Sequence, residues 1–213
     1  MTFIPEIPVL AAYTAACLVL CITPGPDMSL FLSRTMAGGV KSGMASMLGA
    51  SFGCLIHTIL AAVGLSAVIA ASPNAFLVIK IIGALYLAWL AIDALRNGSA
   101  LNVKEGEQQT PSVVRAFWTG VMINLSNPKV ILFFVTFLPQ FISVSDPDAA
   151  GKLAFLGFYM VAFSTPITAL MILGAERVVS SLKQKPQIMR MIDYLFAGIF
   201  GAFAVKILLT DSK

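Results

Sequence analysis

Charged residues are scarce in this chain. Asp, Glu, Lys and Arg together make up 11% of its 213 residues, whereas 58% are hydrophobic. A soluble globular protein carries about 25% charged residues. The apolar runs are also longer than the helices of a soluble core require. The composition therefore excludes a soluble protein and predicts an all-α, polytopic membrane protein.

The sequence also lacks the usual signatures of nucleotide and metal chemistry. It contains no phosphate-binding loop, no dinucleotide-binding glycine motif and no HExxH. The three cysteines, Cys17, Cys21 and Cys54, lie inside apolar runs without zinc or CxxC spacing, which favours a role as small apolar filler. We therefore expect no enzyme, no cofactor and no resident metal. Transport by this chain would draw on an ion gradient, because an ATP-driven pump needs a nucleotide site.

Six apolar segments are predicted to cross the membrane. No Lys or Arg precedes the first segment, so it lacks the basic region of a cleavable signal peptide and is expected to be retained. The segments cover about residues 7–37, 42–71, 75–95, 113–142, 153–175 and 191–209. A polar stretch divides them into a first repeat (1–95), a cytoplasmic linker (96–112) and a second repeat (113–213), each repeat with three helices.

Basic residues are distributed unevenly between the two sides of this arrangement. Nine of them fall on the side of the odd-numbered loops, namely Arg34, Lys41, Arg96, Lys104, Arg115, Arg177, Lys183, Lys185 and Arg190. Four fall on the other side, namely Lys80, Lys152, Lys206 and Lys213. Since positive charge marks the cytoplasmic side, both termini are predicted to lie outside the cytoplasm.

The first and fourth segments are each interrupted by proline. At about 30 residues, or roughly 45 Å as a helix, both are too long for one straight crossing. Proline removes an amide donor and restricts the residue before it, but it is favoured at the first position of a new helix. The first interruption consists of Thr23, Pro24, Gly25, Pro26 and Asp27. The second consists of Asn127, Pro128 and Lys129, with Asn124 three residues earlier on nearly the same face.

The matching positions of the two interruptions predict an inverted repeat. With three segments per half, the second half enters the membrane from the opposite side. Backbone groups freed by a break must be satisfied by protein or by water in a cavity. Two broken helices therefore predict a polar cavity near the middle of the membrane, where transporters bind substrate. The alternative is that the prolines only kink tightly packed helices.

Asp27 and Lys129 are the charged residues of the two breaks. An ionisable group deep in a membrane costs about 3 kcal/mol on insertion scales and is usually functional. One interpretation is a zwitterionic ligand, with its ammonium on Asp27 and its carboxylate on Lys129 and the freed amides near Gly25 and Asn127. The other is a structural Asp27–Lys129 ion pair. The two are compatible if the pair opens when substrate binds.

His57 is the only histidine and shares a stripe with Gly49 and Gly53, spaced four residues apart. Two glycines at this spacing allow another helix to approach closely, within the chain or in a homodimer. His57 is therefore expected to face protein. It is a candidate proton carrier alongside Asp27, because its unperturbed pKa is about 6.5. A neutral, hydrogen-bonded histidine is the alternative.

Four motifs in combination resemble the lysine exporter superfamily, and most closely its homoserine/threonine resistance branch. They are TPGPD, GASFGCLIHT, GALYLAWLAIDALR and NLSNPKVILFFVTFLPQF. The resemblance covers nearly the whole chain. It implies an amino acid exporter of the bacterial inner membrane, driven by protons. It also implies that the signature positions are Pro24, Gly25, Pro26, Asp27, Asn124, Asn127, Pro128 and Lys129.

The resulting hypothesis is a proton antiporter that exports amino acids by alternating access. Its partners would be an amino acid, protons and the bilayer, with no nucleic acid. Two alternatives stay open. One is an exporter of a metal or inorganic ion, although the cysteines and His57 form no obvious ligand set. The other is a membrane thiol–disulfide oxidoreductase, which would need two cysteines that approach each other.

Overall fold

The computed structural model of the protein describes residues 4–98, 112–142 and 146–210, and within them the regular structure is entirely helical. The α-helices are α1 (Ile7–Ile22), α2 (Pro26–Leu60), α3 (Ser66–Ala71), α4 (Pro73–Asn97), α5 (Val113–Ser126), α6 (Pro128–Leu132), α7 (Ala149–Leu173), α8 (Ala175–Gln184) and α9 (Pro186–Thr210). A π-helical turn (Ala61–Leu65) joins α2 to α3, and a second (Phe133–Phe137) follows α6 and leads into a 3₁₀ turn (Leu138–Phe141). Most of the predicted linker, residues 99–111, lies outside the described residues.

Helix α2 is a hairpin of two arms, residues 26–38 and 40–60. Gly39 between them has a φ of +75° and a ψ of 173°, which only glycine adopts readily. A Cβ placed on Gly43 would touch the Thr35 hydroxyl and would lie 3.2 Å from the Phe31 carbonyl oxygen. In one straight helix, positions 31 and 43 would be about 18 Å apart. The chain therefore reverses direction at Gly39.

Four stretches are long and apolar enough to cross a membrane: Pro26–Val68, Leu77–Asn97, Ala149–Leu173 and Gln187–Val205. A fifth is obtained if Val113–Ser126 and Pro128–Phe141, bent by 53°, are taken as one span. Ile7–Ile22 is a shorter apolar helix. The first of these stretches contains the Gly39 reversal, so it cannot be a single straight crossing. The protein is thus a membrane protein whose described part is helical, with both predicted interruptions at helix boundaries.

Helix α8 lies between the fifth and sixth predicted segments, where the sequence predicts a loop over residues 176–190. It is short and amphipathic, and it buries Ala175, Val179 and Leu182 against Met28 and other residues of the first α2 arm and α9. Its polar residues Glu176 and Arg177 are exposed. The loop prediction missed α8 because its ten residues are too few and too polar for a crossing.

The second arm of α2 and α5 pack almost backbone to backbone. A Cβ on Gly49 would collide with the Phe117 carbonyl, and one on Gly120 would collide with the Ser46 carbonyl. A Cβ on Gly53 would lie 2.6 Å from Asn124 Oδ1. The glycine face predicted from the sequence therefore makes an intrachain contact, and this contact places Asn124 beside the α2 hairpin.

Candidate functional site

The first break separates α1 from α2 at residues 23–25. Thr23 caps α1 in an extended conformation, and both its amide and its hydroxyl donate to the Val19 carbonyl, at 3.0 and 2.6 Å. Gly25 precedes α2 with Pro26 as the first helical residue. Asp27 then occupies the first turn, where the positive end of the helix dipole favours a carboxylate. The proline pattern thus fixes the position of Asp27 relative to a helix N-terminus.

The second break is a single residue. Asn127 ends α5 in an extended conformation, and its side-chain oxygen accepts a hydrogen bond from the Lys129 amide at 3.0 Å. Pro128 is the first residue of α6. Asn127 is 3% exposed, so its side chain caps α6 inside the protein. The cap fixes the start of α6 and hence the direction in which Lys129 leaves the helix.

Asp27 is held by the opposite half of the chain. Asn124, in the last turn of α5, donates from Nδ2 to Asp27 Oδ2 at 2.7 Å. The Asn124 side-chain oxygen in turn accepts from the Cys54 thiol at 3.6 Å. The second carboxylate oxygen, Asp27 Oδ1, is buried and has no hydrogen-bond partner in the described part of the chain. A buried acceptor without a partner is costly, so this oxygen is a ready site for a donor.

Lys129, which follows the second break in the sequence, binds the backbone at the first break. Its ammonium donates to the carbonyls of Leu20 and Thr23, at 2.8 and 2.6 Å. These carbonyls belong to the last turn of α1, where the intrahelical partners have run out and the dipole favours a cation. Gly25 lies alongside, since a Cβ there would be 3.7 Å from Lys129 Nζ. Lys129 therefore replaces two missing amide donors at the end of α1.

Two reciprocal contacts, here called the two clasps, thus join the two breaks. The charged residue after each break binds the end of the helix before the other break: Asp27 binds the α5 end, and Lys129 binds the α1 end. The described residues contain no direct salt bridge between Asp27 and Lys129. The structural ion pair considered from the sequence is therefore not the observed arrangement.

The two breaks share one cavity of about 90 Å³. It has room for several water molecules, since one water needs about 10–15 Å³ of such space. Its described lining contains one acid and one base, Asp27 and Lys129. Other polar lining residues are Thr23, Ser51, Asn124, Asn127, Ser164, Thr165 and Thr168. The apolar lining includes Met28, Phe31, Leu32, Met47, Met160, Met171 and Ile172.

His57 lies outside the wall of this cavity. Its ring stacks on Phe134 of the π-helical turn, with centroids 5.4 Å apart and an interplanar angle of 21°. Its Nε2 is buried and lacks a hydrogen-bond partner in the described chain. The histidine faces protein, as the glycine stripe predicts. The geometry gives Asp27, and not His57, direct access to the cavity.

Several lining residues were not selected from the sequence. Cys21 and Cys54 line the cavity, whereas Cys17 is buried in the core, and all three thiols are free. The sequence-based prediction also did not include three hydroxyl residues of α7 that line the cavity, namely Ser164, Thr165 and Thr168. The available signal was a run of hydroxyl residues on one face of a long apolar helix. In the described chain no group of three or more His, Cys, Asp or Glu side chains could hold a metal.

Comparison with known proteins gives a consistent family assignment. The sequence model of the LysE type translocator family matches residues 18–211. An uncharacterized membrane protein of Vibrio cholerae is 31% identical over 92% of this chain and 94% of its own length. A homoserine/homoserine lactone efflux protein of Salmonella typhimurium is 30% identical over 89% of this chain and 90% of its own. A leucine efflux protein of an Enterobacter species is 28% identical over 92% of each chain. No solved structure matches significantly.

Proposed function

Since the chain belongs to the LysE type translocator family, we propose that it exports a small amino acid, or a close derivative, across the bacterial inner membrane. The named relatives are efflux proteins for homoserine, homoserine lactone and leucine. Export would be secondary active, by alternating access and in exchange for protons. The supporting observation is a single cavity that joins two helix breaks and carries one negative and one positive group.

A zwitterion matches this cavity in charge and in hydrogen bonding. The substrate's ammonium would donate to Asp27 Oδ1, the buried oxygen that lacks a partner. Its carboxylate would bind the Lys129 ammonium, which uses two of its three donors on backbone carbonyls. The other residues at the two breaks would position these two groups and form the gate between the two clasps. They are Thr23, Pro24, Gly25, Pro26, Asn124, Asn127 and Pro128.

Asp27 is proposed as the proton carrier. Protonation of Asp27 would remove the charge that holds the substrate ammonium. The same carboxylate would lose this proton on the other side of the membrane and become charged again. His57 is the second candidate, but its ring lies behind the cavity wall against Phe134. Exchange of one proton for one zwitterion at a single carboxylate would couple the two movements directly.

The proposed topology has six crossings in two inverted repeats. The first would consist of α1 with the first α2 arm, then residues 40–71, then α4. The second would consist of α5 with α6 and the turns after it, then α7, then α9. The reversal at Gly39 supports this count, because it divides the longest apolar stretch in two. The termini would lie outside the cytoplasm.

The decisive experiment is uptake of radiolabelled amino acids into everted membrane vesicles. Their lumen corresponds to the cell exterior, so an exporter loads them. Uptake of at least one amino acid should rise on energisation and collapse when nigericin removes the pH gradient. Vesicles that accumulate no amino acid above those lacking the protein would contradict the proposal.

A further inference from the structure

One face of α7 forms part of the wall of the cavity. This face contributes Met160, Val161, Ser164, Thr165, Thr168, Met171 and Ile172. These positions recur every three to four residues, which is the spacing of one helix face. From residue 160 to residue 172 the face extends over about 18 Å. The exposed Pro166 lies on another side of the helix and is absent from the lining.

Hydroxyl groups occupy the middle of this face. Thr165 Oγ1 donates to the Val161 carbonyl at 2.7 Å and lies 3.4 Å from Ser51 Oγ on the α2 hairpin. Thr168 also lines the cavity, and its hydroxyl makes no hydrogen bond within the described residues. A hydroxyl keeps two acceptor lone pairs even when it donates. Because Thr165 already donates to Val161, Ser51 is the donor in its contact with Thr165 and leaves Thr165 one free acceptor lone pair, whereas the Thr168 oxygen has no donor in the described chain.

These hydroxyls line the same cavity as Asp27. Ser51 is one helical turn from Cys54, which bonds to Asn124, and Asn124 bonds to Asp27. An ammonium has three donors and needs more than one acceptor when it leaves water. The free Asp27 Oδ1 supplies one acceptor, and the Thr165 and Thr168 hydroxyls can supply the others.

The apolar part of the lining, which includes both ends of the α7 face, is adaptable. Four methionines line it, namely Met28, Met47, Met160 and Met171, together with Phe31, Leu32 and Ile172. Thioether side chains are flexible and fill irregular gaps, so they accept several apolar shapes. The described lining holds no acid besides Asp27 that could pair with a cationic substrate side chain.

We propose that the α7 hydroxyl face, Thr165 and Thr168, binds the substrate's ammonium group together with Asp27. The methionine-rich wall then receives an uncharged, flexible side chain. The substrate class is neutral aliphatic amino acids of the leucine, methionine or norleucine type, and cationic amino acids are discriminated against. This inference depends on the proposed transport function.

The test compares uptake of leucine, methionine, norleucine and lysine into energised everted vesicles. Thr168→Val and Thr165→Val remove a hydroxyl at nearly constant volume. We expect each to raise the KM for neutral amino acids about tenfold, as for a lost hydrogen bond to a charged group. Thr119→Val is the matched control, because the Thr119 hydroxyl bonds only to the Arg115 carbonyl of its own helix and is absent from the cavity lining.

The outcomes separate the inference from the function on which it rests. Thr168→Ser keeps the hydroxyl and should restore the KM, which distinguishes binding from a folding defect. If the wild type takes up leucine but Thr165→Val and Thr168→Val match it, the hydroxyl role is wrong while transport stands. Lysine uptake equal to leucine uptake would overturn the substrate class. No uptake of any amino acid would refute the proposed function itself.

Discussion

At the residue scale, Asp27 is unusual because its two carboxylate oxygens differ. One accepts from Asn124, and the other is buried without a partner in the described chain. A buried acceptor of this kind is normally avoided, since leaving it unpaired costs about 1–3 kcal/mol. A site that binds and releases a cation has a reason to keep such an oxygen available. Asp27 is therefore the residue on which binding and coupling should depend most.

Asp27→Asn should keep the shape of the site but lose its charge. We expect energised uptake of the transported amino acid to fall about ten- to a hundredfold, as for loss of a charge-assisted bond of about 1.5–3 kcal/mol. Asp93→Asn is the control, because Asp93 pairs with Asn97 at the end of α4 and is absent from the cavity lining. Equal uptake by Asp27→Asn and the wild type, at equal protein levels, would remove Asp27 from the mechanism.

His57→Gln distinguishes the two proton-carrier candidates. Because His57 stacks on Phe134 outside the cavity wall, we expect uptake to stay within about twofold of the wild type and to stay nigericin-sensitive. If His57 carried the proton, the variant would still exchange substrate across the membrane but would no longer respond to the pH gradient. Counterflow measured alongside energised uptake separates these results.

At the element scale, the ends of helices and their closest contacts organise the site. The free carbonyls at the end of α1 accept hydrogen bonds from Lys129, which lies in the other half of the chain. Helix α5 reaches Asp27 because glycines let it approach the α2 hairpin closely. Both arrangements join elements about a hundred residues apart. The site should therefore be sensitive to changes that alter helix approach without touching the cavity.

Lys129→Met should destabilise the α1 end. It leaves the Leu20 and Thr23 carbonyls without their donor, at a cost of about 1–3 kcal/mol each if water does not replace it. The midpoint of thermal unfolding in detergent should fall by several degrees, and uptake should be lost. Lys41→Met, at an exposed position just after the Gly39 reversal, serves as the control and should change neither.

Gly49→Ala and Gly120→Ala should separate α5 from the α2 hairpin. Each added Cβ would collide with a backbone carbonyl of the facing helix, and such overpacking costs typically about 1–3 kcal/mol. Gly198→Ala is the matched control, because a Cβ there meets nothing within 4 Å. Thermal unfolding should show lower midpoints for the first two variants and no loss for the third. A wild-type midpoint for all three would mean that the close contact contributes nothing to stability.

At the scale of the whole molecule, the reciprocal clasps relate the two halves of the chain. The residue after each break reaches the helix before the other break, as expected if the two halves are inverted copies that meet at the cavity. Shifting the halves relative to each other would change both clasps at once. Such coupled contacts would allow the cavity to open on one side at a time.

Single cysteines in a background without Cys17, Cys21 and Cys54 would test the topology. Asn74→Cys, at the start of α4, should react with a membrane-impermeant maleimide in intact spheroplasts. Lys41→Cys and Gln184→Cys should react only after permeabilisation, because the connections between crossings that contain them are predicted to be cytoplasmic. The opposite labelling pattern would reverse the proposed orientation. Full uptake by the cysteine-free protein would also exclude the thiol–disulfide enzyme.

The sequence by itself determined the properties that depend on local chemistry. Its lack of charge specified a membrane protein, and its prolines specified where α1 ends and where α6 begins, because proline acts on its own turn. Gly49 and Gly53 predicted a close helix contact. The motifs alone indicated the family, and the match over residues 18–211 confirmed it.

Only the tertiary structure decided which groups meet. Lys129 pairs with the carbonyls of α1 and not with Asp27, and hydroxyls from the middle of α7 line the cavity. These outcomes depend on how helices distant in sequence approach each other. Nothing in the local sequence links a carbonyl freed at one break to an ammonium a hundred residues later. Their pairing exists only once the helices between them have packed.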